Sequence, residues 1–469
     1  MQARKIWTYL FLLTALGANT LIVELVIPRM IAPVFGNTLF SWTAIIAVVL
    51  LALAVGYRFG GLWATSNRVN RLIILFSVGA AFWGLALALF GDELVQMMRP
   101  LNLMFGPLLA AILLAALPAF LDAAVVPMVI QVIPGEPGGV SGRCFAWSTV
   151  GSIFGVLLTG YVLLPQLGIA GALATGVVLI ILSLFFLRRM ISVTFLLLLL
   201  IGTTVWTGQR QTNLLYDRSN GYHRIRITEN SDVRTLMLDS TVEGLVRLGD
   251  ERPVAIYASI LTGLLRQHLV ESTPAMQRAF FIGGGAFSIS RYLKHIAPAA
   301  EIRVAEVDPD VVRVGRQLLE LPDSIDVVIG DGRSVLTTDR SHYDLIVNDA
   351  FQGLRKNPFH LTTHEFNQLV YDRLSAHGIY VSNLRGDPAE SYLASSFVKT
   401  LRQTFDHIST VRASHTNHWV IASKEKLNWA PEITVIGDMA QIFTDDHAPV
   451  EYLIVRDLVE EKLKRMTRG

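Results

Sequence analysis

A single cysteine, Cys144, in 469 residues excludes any intrachain disulfide and any zinc site built from cysteine pairs. His360, His364 and His447 lack the spacing of metal ligands, so no metal site is expected. Charge is scarce as well: 40 Lys and Arg against 38 Asp and Glu make 17% of the chain and leave a net charge of +2. No basic block suited to a phosphate backbone occurs, and nucleic acid is not an expected partner. What takes the place of charge is apolar. Hydrophobic residues make 52% of the chain, with the excess in residues 1–206. A chain of this length holds two or more domains, and the shift in composition at residues 207–216 marks a boundary. The predicted fold class is an N-terminal all-α transmembrane bundle (1–206), a small β-domain (207–250) and an α/β Rossmann-like domain (251–469).

Long apolar runs at residues 7–27, 39–59, 72–90, 101–120, 145–164, 171–187 and 191–206 predict seven spans. The first lacks a small-residue cleavage site and reads as a membrane helix, not a leader. Residues 121–133 are apolar but interrupted by Asp122 and Pro127, which suits a half-helix or an eighth crossing. Arg4 and Lys5, then Arg58, Arg68 and Arg71, then Arg143, then Arg188 and Arg189 fall on alternate loops, which would be cytoplasmic. Seven spans leave the C-terminal half outside. The eighth crossing, or a last segment that does not span, would return it to the cytoplasm. Glu24 and Asp122 lie at membrane depth, where a charge needs a partner or water. They suit either a polyamine cation site or local pairing, Glu24 with Arg29 and Asp122 with neighbouring hydroxyls.

The soluble half is organised around residues 279–352. The strand AFFI runs into Gly283, Gly284 and Gly285, and a helix is expected over 288–296; such a turn lets the backbone approach a ligand and points helix-opening amides at it. Ser288 stands where the dinucleotide pattern has its third glycine. A second strand, 302–307, carries Glu306 about 20 residues on, where nucleotide-binding α/β units place an acid for ribose hydroxyls. A third strand, 325–329, leads into Asp331 and Gly332. A fourth, 343–347, leads into Asn348 and Asp349. Carboxylates at successive strand ends define a nucleoside site. Asp308 before Pro309 reads as a helix cap. Residues 213–249 alternate apolar and polar about a turn at 230–232 and predict a β-hairpin, and residues 256–270 predict a helix.

This segment, with YHRIRITENSDVRTLMLDSTVEG before it and PFHLTTHEF to TDDHAPVEYL after it, resembles the spermidine synthases, whose fold is that of S-adenosylmethionine-dependent methyltransferases. The stretch VELVIPRMIAPVFGNTLFSWTAIIAVVLLALAVGY is similar to the membrane half of spermidine synthase-like proteins fused to a multi-spanning domain. The resemblance implies aminopropyl transfer from decarboxylated S-adenosylmethionine, bound as a co-substrate with no permanent cofactor, to a polyamine or other amine. It implies Asp349 as the base, Glu306 at the ribose, Asp331 at the adenine, Tyr257 at the acceptor, residues 350–360 as a gate loop and a homodimer built through the small β-domain. A bacterial inner membrane and its lipid are the implied surroundings.

Several positions depart from that pattern. Ala286 stands where the family has an aspartate for the donor's ammonium, Gln352 replaces the second acid of the gate loop, and Tyr222 and His223 stand for a tyrosine–glutamine pair. Ala258 follows Tyr257. A dicationic amine needs carboxylates to offset its desolvation. Three readings follow: an aminopropyltransferase with altered amine preference, using Glu243 or membrane acids instead; a methyltransferase using S-adenosylmethionine; or a nucleotide-sensing domain regulating a polyamine transporter. The TDDHAPVE segment has no derived role beyond helix capping.

Overall fold

The computed structural model describes residues 2–35, 38–98, 101, 104–188, 213–220, 222–239, 241–270, 276–350, 358–414 and 417–468. By its contacts the chain forms two compact units, 1–212 with 218–223, and 213–217 with 224–469.

The first unit is helical. Five helical runs are long and apolar enough to cross a membrane: Lys5–Ala32, Leu39–Trp63, Val69–Met97, Gly106–Val132 and Pro137–Leu187. The fifth has 51 residues, more than twice the ~20 that one crossing needs, and it leaves helical geometry at Gly168 (φ 67°, ψ −169°). Gly106–Val132 corrects the sequence reading, which separated 101–120 from 121–133. The helix runs on through Asp122, one of whose carboxylate oxygens the first helix pairs: Asn19 Nδ2 and Thr20 Oγ1 each donate to Asp122 Oδ2 over 2.9 Å. Residues 121–133, left open as a half-helix or an eighth crossing, continue the run Gly106–Val132, and the expected span 191–206 lies outside the described residues. The first helix meets Pro137–Leu158 at a close approach, where an ideal Cβ on Gly151 would lie 2.0 Å from the carbonyl oxygen of Thr14. Small residues at such crossings let backbones pack directly.

The second unit opens with an antiparallel sheet of four strands, β1 (Leu214–Ser219), β2 (Arg224–Asn230), β3 (Val233–Leu238) and β4 (Thr241–Arg247). The expected hairpin is β2–β3, turning at Ser231 and Asp232. Two further strands widen it, consistent with the need of a lone hairpin for more sheet to bury one face.

A seven-stranded sheet follows, in the order β10-β11-β9-β8-β5-β6-β7. Its strands are β5 (Arg278–Ile282), β6 (Glu301–Glu306), β7 (Asp326–Ile329), β8 (Tyr343–Asn348), β9 (Leu374–Arg385), β10 (His407–Arg412) and β11 (Asn417–Ser423). Strands β5 to β9 pair in parallel, and β11 and β10 run antiparallel at one end. Apolar side chains fill both faces of the sheet: Phe281, Val304 and Trp419 on one, Phe280, Tyr380 and Phe397 on the other. That two-sided burial explains why the parallel strands read as continuous apolar runs. Strand order reverses at β5, which pairs with β6 on one side and β8 on the other. The crevice at the C-terminal ends of β5 and β8 is the switch point where open α/β sheets take ligands.

Candidate active site

The glycine turn is built at that switch point. Gly283 adopts φ +91°, closed to a side chain without strain, and its N–H donates to the Ala305 carbonyl over 2.9 Å. Phe287 then takes a left-handed conformation (φ 57°) as the N-cap of the helix Ser288–Ile296. That geometry is unfavourable for a bulky residue and is held by burial. The ring is 1% exposed and lies so near Gly284 that a Cβ there would come within 2.5 Å of it. The turn thus presents the start of the helix, residues Ser288, Ile289 and Ser290, to a cavity.

Glu306, at the end of β6, is buried and braces the turn. Its Oε2 accepts from the Gly284 N–H over 2.7 Å and its Oε1 from the Asp308 N–H over 2.9 Å. Asp308 caps the next helix by accepting from the Asp310 N–H, as its place before Pro309 predicted.

Asp331 follows β7. It caps the helix Gly332–Thr338 through the Ser334 N–H and meets His360 Nε2 at 2.8 Å. The hydrogen bond from His360 holds its carboxyl down at about 2. His360 is itself anchored: Arg333 donates to its carbonyl over 3.0 Å and grips Asp445 with two bonds of 2.7 and 2.6 Å. Thr363 Oγ1 also donates to Asp445, over 2.7 Å. The TDDHAPVE segment therefore serves, through Asp445, as the clasp that fixes the chain around Asp331.

Asp349 follows β8, its N–H bound to the Ile282 carbonyl over 3.0 Å. Asn383, on β9, donates from Nδ2 to Asp349 Oδ1 over 2.9 Å, and Asn417, on β11, donates to Asn383 Oδ1 over 3.2 Å. Asp349 is half-buried and lines the cavity, and desolvation pushes its carboxyl up to about 7, against the lowering effect of Asn383. Tyr257 faces the same space and stacks on Trp419 with ring centroids 5.9 Å apart. Its phenol is raised well above the usual range, by the Asp349 charge first, then burial, then Glu243.

The structure brings Gly283, Gly284, Gly285, Tyr257 and Asp349 together on one cavity, with Glu306 directly behind it. Asp331 and Gly332 sit at the neighbouring strand end. Tyr222 and His223 lie in the turn before β2, the former about half exposed and the latter buried, and neither lines this cavity. Gln352 lies outside the described residues. Asn383, Asn417 and the pairing of His360 with Asp331 were not expected from the sequence, whereas Glu243, offered there as a substitute acid, does line the cavity. Asn383 carried a usable signal, since it stands near the C-terminal end of an apolar strand.

A seven-stranded sheet of this order, with a glycine turn and the carboxylates Glu306 and Asp349 at its switch point, is a Rossmann-like fold of the methyltransferase type. More narrowly, residues 260–433 match the model of the spermine/spermidine synthase domain. A probable polyamine aminopropyl transferase of Bifidobacterium longum is 26% identical over 297 residues, covering 54% of this chain and 64% of that protein. The polyamine aminopropyltransferase of Chromobacterium violaceum is 28% identical over 209 residues, covering 43% and 76%. Among solved structures, a probable spermidine synthase from Corynebacterium glutamicum aligns at 21% identity with a TM-score of 0.41, over 47% of this chain and 82% of that one.

Proposed function

We propose that this protein is a membrane-bound aminopropyltransferase that moves a three-carbon amine from decarboxylated S-adenosylmethionine to an amine acceptor. The observation that carries it is Asp349: a half-buried carboxylate at the switch point, hydrogen-bonded by Asn383 and raised by desolvation to about 7, where a general base works best near neutral pH. The acceptor ammonium gives its proton to Asp349. Its nitrogen lone pair then attacks the propyl carbon bound to sulfur, the C–S bond breaks with its electron pair going to sulfur, and the sulfonium leaves as the neutral thioether methylthioadenosine. The donor brings its own leaving group, so the protein's task is to align two reactants and take one proton.

Within this reading Glu306 accepts from the ribose hydroxyls, Asp331 with His360 meets the adenine, and Tyr257 bounds the acceptor side. The relatives named polyamine aminopropyltransferase support a polyamine as acceptor. We place the helical unit in a bilayer, in contact with its lipid, and the domain on the cytoplasmic face as a homodimer. With two crossings in the run Pro137–Leu187, residue 188 lies on the same side as the N-terminus, so this sidedness requires that 191–206 does not cross.

The test is methylthioadenosine release by the detergent-solubilised full chain given decarboxylated S-adenosylmethionine and mixed di- and polyamines. Release that requires an amine, and falls by about 100-fold or more in Asp349→Asn, is the expected result. Methyl transfer from S-adenosylmethionine with no such release would replace this reading.

A further inference from the structure

The wall of the cavity beside the glycine turn is made by β4. Ala286 brings no charge to it, and its methyl is packed at 3% exposure against the backbone of β4, where an ideal Cβ on Gly244 would lie 2.5 Å from it. Ser288 Oγ donates to the Leu245 carbonyl over 3.2 Å, fastening β4 to the start of the helix. The carbonyl of Glu243 lies 3.3 Å from an ideal Cβ on Gly285. β4 lines this cavity with Val242 and Glu243, so the carboxylate it brings to the cavity that holds Asp349 is Glu243.

Tyr257 reports on the arrangement, because its hydroxyl feels both acids. The ionisable groups among the described lining residues are Glu243, Asp349 and Tyr257, all acidic. On the aminopropyl-transfer reading, on which this inference rests, the donor carries two positive centres, a sulfonium and a terminal ammonium. A buried ammonium needs a carboxylate at its end of the cavity. Asp349 cannot serve both donor and acceptor while it takes the acceptor's proton.

We propose that Glu243 receives the terminal ammonium of the nucleoside's three-carbon arm, and so selects the decarboxylated donor over one bearing a carboxylate on the carbon that holds the amine. The acid for this contact comes from the small β-sheet, not from the glycine turn.

The test compares two nucleosides, one with the three-carbon arm, its ammonium and the sulfonium, the other a neutral thioether without the arm. Dissociation constants of decarboxylated S-adenosylmethionine and of methylthioadenosine, which lacks the arm, are measured on the full chain in detergent, as wild type and as Glu243→Gln. The expected result is a loss of about tenfold or more for the decarboxylated donor, the weight of a hydrogen bond to a charged group, with methylthioadenosine within about twofold. The preference for the decarboxylated donor over S-adenosylmethionine narrows in the same variant. Equal weakening of both nucleosides, or no change in either, overturns the proposal. Because methylthioadenosine binding also shows that the variant is folded, a folding defect registers as equal weakening. If the wild type binds both nucleosides but releases no methylthioadenosine with any amine, the transfer reading falls while the ratio still decides the role of Glu243. If it binds neither, both fall.

Discussion

Asn383 donates a hydrogen bond to Asp349 across the ends of two parallel strands, 2.9 Å from Nδ2 to Oδ1. The bond stabilises the ionised carboxylate in a place where burial opposes ionisation. The two effects together set where the carboxyl ionises.

The acid limb of kcat/KM is expected near pH 7, where Asp349 loses its proton. In Asn383→Ala the lowering contribution is gone, so the limb moves to higher pH, while the rate at high pH stays near wild type. A pH–rate profile of the two proteins checks this. An unmoved limb would remove Asp349 from the base role.

Stability carries the opposite sign. Asp349 has a folded pKa raised from the ordinary 3.8 to about 7, so the folded state holds the proton more tightly than the unfolded one. Stability is then lost as pH rises from about 4 to about 7. Asp349→Asn, which never ionises, should match wild type at pH 4.5 and exceed it at pH 8, by roughly 2–4 °C in midpoint for each ~1 kcal/mol. Thermal unfolding in detergent at the two pH values measures the gap.

Breaking the clasp at Arg333 and Asp445 should loosen His360 and, with it, the surroundings of Asp331. Arg333→Ala is expected to weaken methylthioadenosine binding several-fold. Because the pair is partly exposed, the loss of stability stays at about 1 kcal/mol or less. Isothermal titration alongside thermal unfolding separates the two effects.

In the helical unit, Gly151→Leu would drive a side chain into the Thr14 carbonyl. The overpacking should cost about 1–3 kcal/mol, seen as a lower unfolding midpoint and yield, with nucleoside affinity unchanged in the folded fraction.

The parts of the chain legible in its sequence are those whose signal is local. The helix Ser288–Ile296 and the cap at Asp308 follow from residues within a few positions of each other. Strands β5 to β8 were found as apolar runs ending in Gly283, Glu306, Asp331 and Asp349. What escaped depends on partners far along the chain. Asn383 matters only because β9 lies beside β8. β10 was missed because His407–Arg412 mixes polar and apolar residues, and its order comes from pairing with β11. Asp122 marked a false helix break for the same reason. Its partners, Asn19 and Thr20, lie about a hundred residues away.

Glu306 binds the amides of Gly284 and Asp308, so it is part of the skeleton of the turn as much as of any sugar site. A descendant of this gene that had given up turnover would still be penalised for losing it. Asp349 has no such protection, since its ionised form weakens the fold and a side chain, Asn383, holds it. Of the two acids, Glu306 is the one built into the turn itself.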